Sequence, residues 1–486
     1  MSDNMIRHAQ NFIDGDLVEG PTRTASHSPV TGEVLGYFAD ADESVAEFAI
    51  DAARRAFAES DWTRDRELRA RALFQLADEM TARRTELIDL LAVENGKILA
   101  EAAFEIDLAI PKLRYYGALA LVDSGRAAEV KPGLYSMTLT EPAGVAGVIA
   151  PWNSPIVLSV RSFAPALAAG CPVVMKLPGQ TGLVNGLLHE IFAAATELPA
   201  GVLNSCTESG NTAAPLLVSS PHVEVISYTG STKVGRMIMG QAAAQLKTLS
   251  LELGGKSPMI VFDDADLDAA VPVLTKAITT FTGQFCMTGS RILCSHLIAD
   301  ELRERMAKSL AAVRVGPGTD PDSEMGPMID RANAERVDRM VAAAAEYATI
   351  VERGGLVDTG PGAVSAYYRP SLIEVYDITA PIVQQEVFGP VATFEIFDDE
   401  AEAIAMANAT EYGLAASIWT TDVDRPLRVA RELQAGTVWT NTWAIVHDQF
   451  EEGGFKQSGV GRLNGLRALE EFQEIKHLVH GAPRVR

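Results

Sequence analysis

The stretch GVAGVIAPWNSPIV, residues 144–157, decides the fold, because a short apolar run stops at a proline and a polar turn follows. From here to about residue 258, comparable apolar runs alternate with segments of helical pattern. The runs are Val145–Ala150, Val173–Leu177, Val202–Ser205, Val223–Ser227 and Leu249–Leu253. Such alternation predicts a parallel sheet that is covered by helices.

The pattern extends on both sides of this segment. A second alternating region runs from about residue 258 to about 441, with apolar runs at Met259–Phe262, Ile292–Ser295, Val391–Ile396, Ser417–Trp419 and Gly436–Trp439. Between about residues 43 and 122, apolar side chains recur at three- and four-residue intervals, which predicts helices interrupted at residues 61–62 and 95–96. Residues 12–18 predict a hairpin that turns at Asp14-Gly15.

Two segments are predicted to lie outside this scheme. Residues 134–142 alternate apolar and polar side chains, which predicts an exposed strand outside the main sheet. The tail from Phe472 to His480 is also predicted to be a strand.

Composition restricts the partners and the compartment. The 486 residues carry a formal charge of −23, which argues against nucleic acid or an anionic membrane as a partner. No apolar run approaches the roughly 20 residues of a membrane span, and residues 1–5 show no signal-peptide pattern. The four cysteines form no CxxC pair, so reduced thiols in the cytoplasm are expected.

The clearest chemical candidate is Cys286, which lies in FTGQFCMTGSR, residues 281–291, between glycine-containing turns. A thiolate can attack a carbonyl group, and a carboxylate such as Glu252, upstream in LELGGK, can activate water. Alternatives remain open, because Cys286 could be an inert core residue and Glu252 could pair with Lys256 or a helix N-terminus. Three cysteines are interpreted as core residues: Cys171, Cys206 and Cys294.

Two further motifs also allow two interpretations each. Asn153 follows an apolar run, where its amide could stabilise an oxyanion or simply belong to a turn. Gly230 and Ser231 open a helix, where they could hold a pyrophosphate or cap the helix. The acidic run at residues 263–268 is interpreted as a helix cap rather than a calcium loop. With no HExxH pair among the eight histidines, no metal is predicted.

Seven motifs taken in order resemble the aldehyde dehydrogenase superfamily, in its non-acylating branch, over nearly the whole chain. They are Pro151-Trp152-Asn153, Lys176, Thr229-Gly230-Ser231, Glu252-Leu253-Gly254-Gly255-Lys256, Gly283-Gln284-Phe285-Cys286, Glu386-Val387-Phe388-Gly389-Pro390 and Gly453-Gly454-Phe455-Lys456-Gln457-Ser458-Gly459.

The resemblance implies the α/β aldehyde dehydrogenase fold in three parts. A Rossmann-like coenzyme domain would span residues 1–123 and 143–253, and an α/β catalytic domain residues 254–448. A small β oligomerisation element would combine residues 124–142 and 464–486 in a homodimer or homotetramer. The expected partner is a small aldehyde.

The resemblance also implies the roles of individual residues. Cys286 attacks the aldehyde, the Asn153 amide and the Cys286 N–H stabilise the oxyanion, and Glu252 activates the water that hydrolyses the thioester. The expected cofactor is NAD(P). Its binding residues would be Ile149, Trp152, Lys176, Gly179, Gly230, Ser231, Leu253, Glu386 and Phe388.

Two positions depart from the family pattern. Gly179 stands where many NAD-preferring members carry a glutamate, so NADP is expected to be accepted and even preferred. Arg161 stands where many relatives carry tryptophan, and an arginine there resembles members that act on succinate semialdehyde. Glu451 and Glu452 make the substrate mouth polar. Arg161 could therefore bind a substrate carboxylate or pair with a nearby acid, and Glu452 would oppose an acidic substrate unless Arg161 neutralises it.

Two alternative functions are retained. In a CoA-acylating enzyme, CoA would take the acyl group, although the complete Glu252 motif favours hydrolysis. A binding or structural protein that has lost catalysis would keep the fold, although the set Cys286, Glu252 and Asn153 argues against it.

Overall fold

The computed structural model of the chain describes residues 7–122, 125–357 and 364–482. The prediction about a signal peptide concerns residues 1–5, which lie outside the described residues, as do the predicted boundary at 123–124 and the last four positions. Within the described ranges, no helix has the length and apolar character needed to cross a membrane.

Helices and strands alternate along most of the chain. The α-helices are α1 (Glu43–Glu59), α2 (Arg66–Ala82), α3 (Arg84–Leu90), α4 (Leu99–Leu119), α5 (Pro155–Ala169), α6 (Gly182–Ala194), α7 (Ala213–Ser219), α8 (Thr232–Ala242), α9 (Leu267–Thr279), α10 (Ala299–Ala311), α11 (Arg331–Ala344), α12 (Pro381–Gln384), α13 (Glu400–Asn408), α14 (Arg425–Glu432) and α15 (Gly465–Glu470).

The strands are β1 (Arg7–Ala9), β2 (Asn11–Ile13), β3 (Asp16–Val18), β4 (Thr22–His27), β5 (Val34–Asp40), β6 (Ala127–Lys131), β7 (Leu134–Pro142), β8 (Ala146–Ile149), β9 (Val173–Pro178), β10 (Leu203–Glu208), β11 (Val225–Thr229), β12 (Thr248–Glu252), β13 (Pro258–Val261), β14 (Arg291–Ser295), β15 (Thr349–Glu352), β16 (Gly355–Leu356), β17 (Tyr368–Arg369), β18 (Ser371–Glu374), β19 (Val391–Phe397), β20 (Ala415–Trp419), β21 (Thr437–Thr440), β22 (Gly459–Val460) and β23 (Gln473–Gly481).

The first large sheet has the strand order β22-β12-β11-β8-β9-β10-β2-β3. Its central strands, β12, β11, β8, β9 and β10, are parallel, as the alternation of apolar runs predicted. These strands are almost entirely buried because helices such as α5 and α6 pack against them. The predicted hairpin is confirmed: β2 and β3 pair through Asp14 and Gly15, both at positive φ.

The second large sheet has the order β15-β18-β19-β14-β13-β20-β21, and all of its neighbours are parallel except β15 with β18. Five of its strands coincide with the predicted apolar runs between residues 259 and 439, whereas β15 and β18 were not predicted. Buried arginine and glutamate are tolerated in it because Arg291 on β14 pairs with Glu395 on β19 at 2.6 Å.

A small sheet of β23, β7 and β6 lies apart from both large sheets, and β23 runs antiparallel along the full length of β7. The two separate strands that the sequence predicted therefore exist and pair with each other. Most side chains of β6 and β23 are exposed, so the sheet presents two open edges.

Aspartates fix where several helices begin. The side chains of Asp42, Asp65, Asp330 and Asp399 each accept a backbone N–H from the first turn of α1, α2, α11 and α13. Asp266 does the same for α9, which confirms the interpretation of the acidic run as a helix cap.

Candidate active site

A cleft of about 530 Å³ opens where the parallel strands of the first sheet end. Strands β8, β9, β11 and β12 all direct their carboxyl ends toward it, so residues far apart in sequence meet there. Ligands of open α/β sheets bind in this position. The cleft brings together most of the predicted site residues: Ile149, Trp152, Asn153, Lys176, Gly230, Ser231, Glu252, Leu253, Cys286, Glu386 and Phe388.

Cys286 enters the cleft from the loop between α9 and β14. The turn before it is tightly held: Phe281 and Thr282 both adopt positive φ, the Phe281 N–H donates to Glu101 Oε1 at 2.7 Å, and the Thr282 hydroxyl donates to the Gly326 carbonyl at 3.0 Å. Non-glycine residues at positive φ need such support from their surroundings. The loop therefore presents Cys286 in one fixed position.

The Cys286 side chain is only partly exposed, and burial raises its pKa to about 12, while the Arg161 guanidinium opposes this shift. The isolated thiol is therefore protonated at neutral pH and needs a base before it becomes a nucleophile. The other three cysteines are fully buried, as expected for core residues: Cys171, Cys206 and Cys294.

Glu252 lies at the end of β12 and lines the same cleft as Cys286. It is 4% exposed, and burial raises the pKa of its carboxyl to about 7, with Arg161 acting in the opposite direction. Its Oε1 atom is buried and has no hydrogen-bond partner among the described residues. The alternative partner, Lys256, instead donates to the Ile382 carbonyl at 2.9 Å. Glu252 is thus free to exchange protons at neutral pH.

Asn153 lies just beyond β8 and is 5% exposed. Its Nδ2 donates to the Gln284 carbonyl at 2.9 Å, within the same loop as Cys286. The amide carries two N–H groups, so one is held while the other remains for a ligand.

Glu386 and Phe388 approach the cleft from the second sheet. Glu386 accepts the Gly255 N–H at 3.0 Å, and burial raises its carboxyl pKa to about 7. Phe388, at φ 51°, packs edge-on against Trp152 with ring centroids 5.6 Å apart. The two rings form one wall of the cleft.

The remaining cofactor candidates lie near the first sheet. Ser231 caps α8, since its hydroxyl accepts the Val234 N–H at 3.4 Å, and Lys176 lines the cleft from β9. Gly179 is not among the described lining residues. A Cβ at Gly179 would lie 2.8 Å from the Ser209 Cα, so this glycine is packed against backbone.

Arg161 and Glu452 lie in a second cavity that also reaches Cys286. Their side chains are 6% and 7% exposed and form an ion pair with Arg161 Nη1 at 2.5 Å from Glu452 Oε1. Arg161 Nη2 also donates to the Thr229 hydroxyl at 3.2 Å. Of the two sequence interpretations of Arg161, pairing with a nearby acid is the one observed. The Arg161 Nε is buried and has no hydrogen-bond partner among the described residues.

Sequence reasoning missed one residue that lines the cleft and two that act on its lining residues. Arg336 on α11 lines it and donates to the Val387 carbonyl at 2.8 Å. Ser458 donates to the Gly254 carbonyl at 2.6 Å. Glu208 ends β10 opposite Pro178, and burial lowers the pKa of Lys176 while the Glu208 carboxylate opposes this shift. Only Ser458 belonged to a recognised motif, and the other two carry no local signature.

Acyl transfer through a thioester requires a thiol and a base that can accept its proton. Cys286 and Glu252 match these two requirements. Here they lie beside a cleft large enough for a dinucleotide, at the sheet edge where such ligands bind. The fold and the site together define a nucleotide-dependent oxidoreductase that acts on a carbonyl group.

The sequence model of the Aldehyde dehydrogenase family matches residues 18–478, so the chain belongs to that family. It is an NAD(P)-dependent enzyme that oxidises aldehydes.

Relatives with different substrates are about equally similar. A succinate-semialdehyde dehydrogenase of Paenarthrobacter nicotinovorans is 35% identical over 449 residues, 92% of this chain and 98% of that protein. A phenylacetaldehyde dehydrogenase of Pseudomonas fluorescens is 37% identical over 464 residues, 93% and 91% of the two chains. The structure of a betaine aldehyde dehydrogenase from Staphylococcus aureus in complex with NAD+ is 34% identical, with a TM-score of 0.94 and coverage of 98% and 96%. Both the predicted family and the predicted fold are confirmed.

Proposed function

We propose that the chain oxidises aldehydes to carboxylic acids through a thioester on Cys286, which water activated by Glu252 then hydrolyses. The observation that carries the proposal is the Glu252 carboxyl, which is buried without a partner at Oε1 and lines the same cleft as Cys286. A structural carboxylate in such a place would be paired, because burying an unpaired charge is costly.

In the first half of the reaction, Glu252 accepts the proton of the Cys286 thiol, and the sulfur bonds to the carbonyl carbon. The carbonyl π electrons move to oxygen, where the free N–H of the Asn153 amide and the Cys286 backbone N–H stabilise the oxyanion. A bound NAD(P) would supply the hydride acceptor. As the oxyanion electrons re-form the C=O bond, the substrate carbon loses its hydride and an acyl group remains on the Cys286 sulfur.

In the second half, after Glu252 has released the thiol proton to solvent, water attacks the acyl carbon while Glu252 takes one of its protons and passes it to the departing sulfur. The carbon–sulfur bond breaks, the thiol of Cys286 is restored and the carboxylic acid leaves. A base with a pKa of about 7 suits both halves, because it is substantially ionised near neutral pH and still accepts a proton readily.

The residues that line the cleft support its assignment to the coenzyme. We propose that Lys176 and Glu386 hold its two riboses, with Gly230, Ser231 and the first turn of α8 beside the phosphates. The Trp152–Phe388 wall would pack near the nicotinamide, and Ile149 and Leu253 would provide apolar contact. Leu253 also packs against Gly235: a Cβ added at Gly235 would lie 2.5 Å from Leu253 Cδ2. The absence of a side chain at Gly235 therefore lets α8 lie close to β12.

Discrimination between NAD and NADP rests, in our proposal, on Glu208 as well as Gly179. Gly179 brings no carboxylate, which supports NADP acceptance. Lys176 on β9 pairs with Cys206 on the neighbouring strand β10. Glu208 lies two residues beyond Cys206, so its side chain is on the same face of the sheet as that of Lys176. Glu208 Oε2 is buried without a described partner. A carboxylate there would repel a 2′-phosphate, so we propose that NADP is accepted but that NAD is preferred, in contrast to the NADP preference expected from Gly179 alone.

We also propose the three-part division at the boundaries given by the resemblance: 1–123 with 143–253, 254–448, and 124–142 with 464–486. The small sheet supports the third part, since the exposed Val130, Ile475 and Val479 lie on its open strands. A second copy would cover them in a homodimer or homotetramer. The four free thiols support a cytoplasmic location.

One assay tests the proposed function. The purified protein is mixed with aldehydes and NAD, with CoA present or absent, and NADH is followed at 340 nm while the acyl product is identified. We expect free acid and equal rates with and without CoA. Formation of acyl-CoA at the expense of acid would contradict hydrolysis, and a complete lack of turnover would favour a catalytically silent protein.

A further inference from the structure

The second cavity is where the rest of an aldehyde must lie once its carbonyl reaches Cys286. Cys286 lines both this cavity and the large cleft, and the cleft is assigned to the coenzyme. The cavity wall is mostly apolar. Its apolar side chains include Phe104, Leu108, Val157, Leu158, Phe285 and Met287.

The charged side chains that line this cavity are already paired among the described residues. Arg161 pairs with Glu452 at 2.5 Å, and Lys112 pairs with Asp448 at 2.5 Å while also donating to the Asn464 side-chain oxygen at 2.6 Å. The last, Glu105, pairs with Lys97. The cavity thus contains charges but presents no free one.

We propose that this enzyme selects aldehydes whose tail is uncharged, and that the Arg161–Glu452 ion pair is the element that excludes carboxylate-bearing aldehydes. This inference rests on the proposed function of Cys286. Glu452 takes the Nη1 atom of Arg161 and the Thr229 hydroxyl takes Nη2, while the remaining Nε is itself buried. A substrate carboxylate would therefore have to displace Glu452 to form an ion pair with Arg161.

A carboxylate-bearing aldehyde would meet an unfavourable arrangement. To bind Arg161 it must displace Glu452, which is 7% exposed and would be left as an unpaired buried charge. Without displacement, it would place a further carboxylate beside Glu252 and Glu452, with the single guanidinium of Arg161 among them. Both outcomes raise the energy of the bound state.

A cationic aldehyde finds no open carboxylate among the described residues that line the cavity. The carboxylates Glu452 and Asp448 are both engaged, and the ring of Phe281 already has the Lys97 ammonium 4.0 Å from its centroid. An uncharged tail avoids these costs and buries apolar surface instead.

Matched substrates test the inference on the wild-type enzyme. The rate constant kcat/KM is measured for succinic semialdehyde against methyl 4-oxobutanoate, and for betaine aldehyde against 3,3-dimethylbutanal, which has the same shape without the charge. We expect the uncharged member to be favoured by about 100-fold in the first pair and to be favoured in the second. A charged member that equals or exceeds its neutral match would overturn the inference, whereas turnover of none of the four would contradict the proposed function itself.

A pair of variants tests the role of the ion pair. Glu452→Gln frees Arg161, so the preference against succinic semialdehyde should shrink by about tenfold or more. The double variant Arg161→Gln/Glu452→Gln removes both charges and should not show this gain. Equal gains in the two variants would show that Arg161 does not bind the carboxylate. If Glu452→Gln fails to fold, the substrate pairs on the wild-type enzyme decide.

Discussion

Asn153 donates its side-chain amide to the carbonyl oxygen of Gln284 at 2.9 Å, which ties the end of β8 to the loop that carries Cys286. One N–H of the amide is therefore fixed by the protein, and the amide plane is oriented before any substrate arrives. An oxyanion donor works best when it needs no reorganisation during the reaction.

Replacing Asn153 by alanine should lower kcat by about 10²–10³-fold, because one oxyanion donor is lost. The rate at which iodoacetamide alkylates Cys286 at high pH serves as the control. This rate depends on how the loop exposes Cys286 and does not require the Asn153 amide. A variant with normal turnover would refute the assigned role, and a variant with altered alkylation would indicate that the loop has moved.

The rate of deacylation should rise with pH through about 7, because Glu252 must be ionised to accept a proton from water. Below that pH the carboxyl is protonated, so the rate of deacylation decreases. Glu252→Gln should remove this pH dependence and lower the steady-state rate by about 10²–10⁴-fold. Single-turnover kinetics from pH 5.5 to 8.5 measure both, and an unchanged profile in the variant would place the titrating group elsewhere.

Glu208→Gln should increase the ratio of NADP to NAD efficiency by about tenfold, because a neutral amide no longer repels a 2′-phosphate. The amide oxygen still accepts the N–H groups of Thr212 and Ala213 that Glu208 Oε1 accepts now. Equilibrium titrations with 2′-AMP and 5′-AMP give a readout independent of turnover. Glu197→Gln, a carboxyl that is 43% exposed, is the control and should leave the ratio unchanged.

Gly283→Ala should destabilise the protein by about 1–3 kcal/mol, since the residue has φ +67° and its added Cβ would lie 2.2 Å from backbone atoms of Gly389. Gly240→Ala is a matched control inside α8, where an added Cβ meets nothing within 4 Å. Its helix should become more stable by about 0.5–1 kcal/mol. Thermal unfolding compares the two. Similar melting temperatures would mean that the Cys286 loop is less tightly packed than described.

The fold was largely predictable because its periodic signals are local. Alternating apolar runs gave the central strands of both large sheets, and Asp14-Gly15 gave the hairpin. The pairing of β7 with β23 could not be derived from pattern alone, since it joins segments more than three hundred residues apart. Nothing in either segment specifies the other.

The substrate side of the site was less predictable, because it depends on tertiary contacts. Arg161 and Glu452 each depart from the family pattern, but they are far apart in sequence and only the folded chain brings them together as an ion pair. The sequence prediction of coenzyme preference used Gly179 alone. Glu208, which shares a face of the sheet with Lys176, comes from another strand. Arg336 contacts the loop of Phe388 from a helix whose sequence looks like any amphipathic surface helix.

The most direct measurement is the mass of the Cys286 peptide from Glu252→Gln, quenched after mixing with an uncharged aldehyde and NAD. We expect acylation to be slower in this variant, because Glu252 no longer takes the thiol proton, and we expect every acyl group that forms to stay on Cys286 in an amount that matches the NADH released. NADH release without any adduct on Cys286, or an undiminished rate in Cys286→Ala, would contradict the proposed mechanism.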